Sequence, residues 1–172
     1  MFTNNYIKYR EALFFSRVTS SSFKTAKNTD YTGTTGFRDR DFGVCMGFPV
    51  IGDPTTSTAT GVYFGSGTTL PTKDDYTLEA PIITGLIATG LQQNAIVSYD
   101  GNGKATAEGS YILKNTSEET ITVNEIGYFA NGHSNGTSSY LILHERSVLD
   151  TPCVIEPGEA KMITYRIIFN HF

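Results

Sequence analysis

From Val62 onward, apolar residues alternate with polar ones or form brief continuous runs, and clusters of Gly, Asn, Asp and Pro separate the runs. This spacing is typical of a β-sandwich, and the gaps are too short for the crossovers that parallel strands need. The pattern therefore predicts an all-β fold, an antiparallel β-sandwich of jelly-roll-like or Ig-like type. The predicted strands are Val62–Ser66, Leu78–Thr84, Asn94–Tyr99, Thr106–Lys114, Thr120–Ala130, Ser139–Arg146 and Lys161–Phe169, with a further candidate at Cys45–Ile51.

Residues 1–58 follow a different pattern, because long polar, turn-rich stretches separate short apolar islands. Loops longer than about 15 residues are uncommon inside a compact domain unless they bind something or are disordered. We therefore predict an extended N-terminal arm or interface segment over residues 1–58, with a short helix at Tyr6–Phe15, and a β-sandwich domain over residues 59–172. The aromatic residues of the arm are expected to anchor it on neighbouring molecules, although they could equally pack on their own sandwich. They are Phe2, Tyr6, Tyr9, Phe14 and Phe15.

The charge balance argues against two classes of partner. The chain has 13 basic and 17 acidic residues and a formal net charge of -4, without a basic cluster that could neutralise a run of phosphates. Direct nucleic-acid readout is therefore not expected. No window approaches the run of about 18 apolar residues that a membrane span needs, so we expect no membrane insertion. Cys45 and Cys153 lack metal-site or redox spacing and are expected to be small buried hydrophobes.

The segment "YFGSGTTLPTKDDYTLE", Tyr63 to Glu79, places two glycines directly after a predicted strand. A dinucleotide-binding loop would need a third small residue where Leu70 stands, and a helix that Pro71 and the polar residues after it disfavour. No Gly-Lys-Ser/Thr tripeptide is present. A strand end followed by an extended connector is therefore the better interpretation, and no phosphate site is predicted.

Other candidate chemistry is equally weak. The "RDRDFG" run matches kinase elements that stand far apart in kinases, and His133, His144 and His171 have no nucleophile elbow or supporting carboxylate motif. We therefore predict no catalytic residue, no metal site and no cofactor, and hence no enzyme. A hydrolase with dispersed catalytic residues is the weakest alternative.

One residue stands out physically. In "ETITVNEIGYF" the strand alternation places Glu125 on one face with Ile121, Val123, Gly127 and Phe129. Burying a carboxylate is unfavourable unless it is paired and hydrogen-bonded. We therefore predict a structural ion pair between Glu125 and Arg146, with Arg166 as the second choice of partner. The alternative is that Glu125 faces water or a neighbouring subunit.

The C-terminal half resembles a known class of proteins. "NTSEETITVNEIGYF" followed by "LILHERSVLDTPCVIEPGEAKMITYRIIF" is similar to small virion proteins of tailed bacteriophages. In those proteins an I-T-V-x-E-I-G strand precedes L-x-x-R-x-V-L-x-x-P and a P-G-E turn. The segment G-x-G-T-T-x-P-T-x-x-D-x-x-L-E is also similar to their upstream part. The resemblance covers residues 62 to 169.

The resemblance implies a non-enzymatic structural protein of the virion that is assembled in the host cytoplasm. It would be a symmetric homo-oligomer in the tail, neck, collar or fibre attachment, would contact other phage tail or neck proteins, and would form a ring more readily than a trimer. Sandwich packing and docking of the arm would hold the copies together. The alternative function is a fibre-tip or host-adhesion module that binds surface carbohydrate through exposed aromatics and the Asn131–Ser139 tip.

Overall fold

The computed structural model describes residues 23–28, 30–31, 46–91, 96–99, 104–133 and 139–170. This part of the chain is built from strands and contains no helix. None of the described segments is therefore a helix long and apolar enough to cross a membrane. The strands are β1 (Phe23–Lys24), β2 (Asp30–Tyr31), β3 (Pro49–Val50), β4 (Gly61–Gly65), β5 (Leu86–Gly90), β6 (Ile96–Tyr99), β7 (Lys104–Asn115), β8 (Ile121–His133), β9 (Ser139–Ile155) and β10 (Ala160–Asn170).

The longer strands form two four-stranded sheets. The first sheet has the order β3-β4-β8-β9. In the second sheet β10 pairs with one edge of β7, while β5 and β6 pair with successive parts of its other edge. All pairings are antiparallel except the short parallel pairing of β3 with β4, and β1 and β2 form a separate hairpin.

The two sheets share one apolar cluster. Alternate residues of the longer strands contribute to it, as expected for strands with one buried face. Its buried members include Val62, Phe64, Leu86, Tyr111, Leu113, Val123, Ile126, Tyr128, Ile155, Ile163, Tyr165 and Ile167. Since these residues come from both sheets, the cluster joins them.

A second apolar cluster covers the opposite face of the first sheet. It combines Tyr63, Phe129, Leu141 and Leu143 from β4, β8 and β9 with Ala26 and Leu78 from outside the sheet. The Ala26 backbone N–H donates to the Leu141 carbonyl at 2.8 Å. The first sheet is therefore covered on both faces, which explains why neighbouring residues in β8 and β9 are buried without alternation.

Parts of the predicted arm belong to this packing. β3 lies before the predicted boundary at residue 58 and pairs with β4, which lies after it. Met46 is fully buried in the cluster between the sheets, and the Tyr111 hydroxyl donates to its carbonyl. Several described residues of the 1–58 segment therefore pack on the sheets, among them Ala26, Met46 and Val50.

The predicted strand at Leu78–Thr84 is wrong, since this segment makes only one isolated bridge, between Gly65 and Pro81. Its Glu79 and Ala80 N–H groups donate to a side chain, Glu125, instead of to a strand. The sequence pattern also missed β5, which is only five residues long. β9 runs past the predicted end at Arg146 to Ile155, with a break in register opposite β8.

Candidate functional site

Glu125 lies where β8 changes its alternation. The register of β8 against β9 breaks between Val123 and Glu125. Before the break, Ile121 and Val123 pack in the cluster between the sheets, whereas after it Phe129 packs on the opposite face. The expectation of one shared face is therefore wrong for Ile121 and Val123, because the alternation of β8 shifts at this register irregularity. Phe129 does lie on the face that carries Glu125.

The predicted partner of Glu125 is in place. Arg146 Nε lies 2.7 Å from Glu125 Oε2, and the two side chains are 4% and 0% exposed. Arg166, the second choice, instead pairs with Glu108 on the second sheet, with 2.5 Å between Nε and Oε2. Arg146 is opposite Gly127 in the β8–β9 register, which brings its side chain beside that of Glu125.

Arg146 also contacts two carboxylates of the segment that covers this face. Its Nη1 lies 2.8 Å from Asp75 Oδ2, and its Nη2 lies 3.5 Å from Glu79 Oε2. Each nitrogen of the guanidinium thus faces a different carboxylate. We call Arg146, Glu125, Asp75 and Glu79 the arginine cluster, and it connects β8 and β9 to residues 66–81.

Backbone amides complete the surroundings of Glu125. Its Oε1 accepts hydrogen bonds from the N–H of Gly67 at 3.2 Å and of Ala80 at 2.8 Å. Its Oε2 accepts from the N–H of Glu79 at 3.1 Å and from Arg146. Each carboxylate oxygen therefore has two donors, which is the condition under which a fully buried carboxylate is tolerated.

The two glycines of the "GSG" segment make this approach possible. A Cβ at Gly67 would lie 2.6 Å from Glu125 Oε1, and a Cβ at Gly65 would overlap the same carboxylate and lie 2.8 Å from the Ala80 carbonyl oxygen. Glycine permits such close approach of backbone to an anion. The anion beside this loop is the carboxylate of Glu125.

The surroundings of Asp75, Glu79 and Arg146 favour the ionised states of these three side chains. Burial opposes ionisation of Asp75, but hydrogen bonds from Thr72 and the guanidinium of Arg146 outweigh it and hold the pKa of Asp75 below its usual value. Hydrogen bonds from Thr69, with the charge of Arg146 nearby, lower the pKa of Glu79. For Arg146 burial acts in the opposite direction, but Asp75 and Glu125 raise its pKa above the usual value.

Asn115 forms a second buried polar centre at one end of the sheets. Its Nδ2 donates to the carbonyls of Glu119 at 2.7 Å and Ile155 at 2.9 Å, and its Oδ1 accepts from the N–H and hydroxyl of Ser117. Its backbone carbonyl accepts from the Gly158 N–H at 3.1 Å. Asn115 therefore joins the β7–β8 turn, the end of β9 and the β9–β10 turn.

The "EPGEA" turn beside Asn115 has the geometry of a type II turn. Gly158 has φ 77°, and the Glu159 N–H donates to the Glu156 carbonyl at 2.9 Å. The hydroxyl of Thr120 donates to the Glu156 carboxylate at 2.7 Å, which ties the turn to the start of β8.

Sequence reasoning missed a further buried carboxylate, Glu145, next to Arg146. It is 5% exposed, burial raises its pKa, and the Ser147 hydroxyl donates to its Oε1 at 2.7 Å. The His144 ring is also buried and meets the Tyr128 ring edge-on at 5.5 Å. The alternation of apolar and polar residues could not predict the burial of Glu145 or His144, because both faces of the first sheet are covered.

Several predicted residues lie outside the described part of the chain. These include Cys45, His171, the Tyr6–Phe15 helix and all the arm aromatics, Phe2, Tyr6, Tyr9, Phe14 and Phe15, whose interface role stays a prediction. Cys153 has a half-buried thiol whose pKa is raised by burial. Within the described ranges, no group of three or more His, Cys, Asp and Glu side chains could hold a metal ion.

Comparison with protein-family models, with curated proteins and with solved structures finds no match to this chain. The local geometry therefore has to be interpreted on its own terms. The arginine cluster is a closed polar centre in which four donors surround the Glu125 carboxylate. Chemically, this arrangement fastens residues 66–81 to the face of the first sheet.

Proposed function

We propose that this protein is a non-enzymatic structural subunit of a virion. In this proposal its two sheets form a β-sandwich of jelly-roll-like or Ig-like type that assembles as a symmetric homo-oligomer in the tail or neck of a tailed bacteriophage. An N-terminal arm docks on neighbouring copies or on other tail and neck proteins.

The observation that carries the proposal is the position of the residues that make up the resemblance. Glu125 of the E-I-G motif and Arg146 of the L-x-x-R motif form the buried ion pair, and Gly65 and Gly67 of the G-x-G motif surround it. Asn115 of N-T-S likewise binds backbone groups inside the fold. These motif residues therefore hold the fold together, and a structural role for the residues of the resemblance supports an architectural function.

The packing of the first sheet is consistent with such a role. A virion subunit has to keep its shape while neighbours contact it from several sides. The arginine cluster and the second apolar cluster hold residues 66–81 on the outer face, so this connector is fixed by an ion pair and by Leu78. Buried, fully hydrogen-bonded polar groups of this kind restrict a chain to one arrangement.

Disruption of the gene in the genome that encodes this chain tests the proposal. The particles would be imaged by electron microscopy, and the intact gene supplied in trans is the control. We expect particles without a complete tail or neck, restored by the full-length chain. Complete particles that fail to attach to host cells would favour the adhesion module, and complete particles with normal attachment would contradict both functions.

A further inference from the structure

The two sheets have edges of very different kinds. An exposed edge strand presents unpaired N–H and C=O groups, and proteins protect such edges by shortness, bulges, proline or covering segments. β3 has only two residues, and the edge formed by β5 and β6 is divided into pieces of five and four residues. β9 is long, but its register is broken twice and Pro152 lies within it.

β10 has none of these protections. It runs for eleven residues, Ala160–Asn170, without Pro or Gly, and its register with β7 has no bulge. Among the described strands, nothing pairs with its other side. At about 3.4 Å per residue this edge is about 37 Å long. It is therefore the edge of this protein best suited to pair with another strand.

The side chains beside this edge are unusually apolar. Met162 and Ile168 point to the outer face of the second sheet and are 67% and 48% exposed. In the next strand Ile112, which is directly opposite Met162, is also exposed. Of the two charged residues in β10, Arg166 is already paired with Glu108.

The sequence of β10 matches itself in antiparallel orientation. When two copies pair about a two-fold axis at Tyr165, the midpoint of the strand, all eleven residues overlap. On the outer face Met162 of one copy is then opposite Ile168 of the other, and Thr164 is opposite Arg166. On the inner face Ile163 is opposite Ile167. No cation faces a cation, and both exposed apolar residues of the strand are covered.

We propose that β10 is a self-association edge, where a second copy of this chain adds its own β10 to make a continuous sheet of eight strands. This inference rests on the proposed function, because it identifies one surface through which the subunits assemble. Such a contact is isologous and closes at a pair, so a larger oligomer would be built from pairs and contain an even number of copies.

Two charge variants of the full-length chain test both the edge and its register. In M162E/I168E, two negative charges are opposite each other at both ends of the pairing. In M162K/I168E, opposite charges meet at the same places. The control is I83E/I87E, which introduces the same charges at positions that are 59% and 53% exposed and lie away from β10. Sedimentation velocity gives the mass, and thermal melting checks that each variant is folded.

We expect the wild type to contain an even number of copies and M162E/I168E to contain half that number or fewer. M162K/I168E and I83E/I87E should keep the wild-type mass. A folded M162E/I168E with wild-type mass would overturn the proposal, as would a monomeric wild type or equal dissociation of both β10 variants. Any of these results would contradict the β10 contact. If gene disruption still gave tail-less particles, the architectural function would stand without it.

Discussion

Replacing Glu125 with glutamine should destabilise the protein strongly, although the substitution changes hardly any volume. Both oxygens of the carboxylate accept two hydrogen bonds, one pair from Gly67 and Ala80 and the other from Glu79 and Arg146. A glutamine amide has one oxygen, so either orientation turns its NH₂ group toward two donors. Two hydrogen bonds are lost, and donors face donors in a site without access to water.

The size of the effect follows from these two bonds. A hydrogen bond that involves a charged group contributes about 1.5–3 kcal/mol, so E125Q should lower the free energy of unfolding by about 3–6 kcal/mol. Domains of this size have total stabilities of about 5–15 kcal/mol. In a chain of 150–250 residues, the loss corresponds to a fall in melting temperature of about 6–24 °C.

Urea denaturation of the full-length chain measures this loss. The matched control is E118Q, which makes the same replacement at an exposed position and should stay within about 0.5 kcal/mol of wild type. Adding R146M and E125Q/R146M completes a double-mutant cycle, in which we expect a coupling of more than about 1 kcal/mol. An E125Q protein as stable as E118Q, or a cycle with no coupling, would refute our account of the cluster.

Three further predictions concern the same polar centres. G65A should cost about 1–3 kcal/mol because its methyl group overlaps the Glu125 carboxylate, whereas S66A at the neighbouring exposed position should be near neutral in the same denaturation assay. N115A should cost about 2 kcal/mol, because it removes the amide donors to the Glu119 and Ile155 carbonyls, of which the Ile155 bond is buried; unchanged stability would show that the turns hold without it. Because the pKa of Asp75 is lower in the folded state, its ionised form stabilises the fold at neutral pH, and this contribution is lost as the pH falls below about 4. D75N should therefore show a smaller loss of stability between pH 5 and 3 than wild type; an identical pH profile would contradict this assignment.

Hydrophobic alternation was sufficient to predict most of the longer strands, because each of them has at least one face in the cluster between the sheets. The Glu125 pair could also be predicted, since a lone carboxylate in an apolar strand requires a partner and few arginines follow it. What alternation could not predict was the register irregularity between Val123 and Glu125, because a local change of pairing between two strands leaves no compositional mark. The face assigned to Ile121 and Val123 was therefore wrong, even though the partner was right.

The segment from residue 66 to residue 81 shows why the rest of the site was missed. Nothing in "TKDDYTLE" indicates that Asp75 and Glu79 meet an arginine that lies about seventy residues later, since such a contact depends on how the connector crosses the sheet. Leu78 resembles a strand residue in the sequence, yet it packs on the outer face while the neighbouring amides bind Glu125. The strand prediction fails there because the Glu79 and Ala80 N–H groups donate to the Glu125 carboxylate, and the segment forms only one isolated bridge, between Pro81 and Gly65.

Quantitative mass spectrometry of purified virus particles tests the central claim most directly. The particles would be those produced by the genome that encodes this chain, and the copy number of this protein would be compared with that of the major capsid protein. A structural subunit should be present in every preparation at a fixed number of copies per particle. Synthesis of the protein in infected cells together with its absence from purified particles would contradict the account.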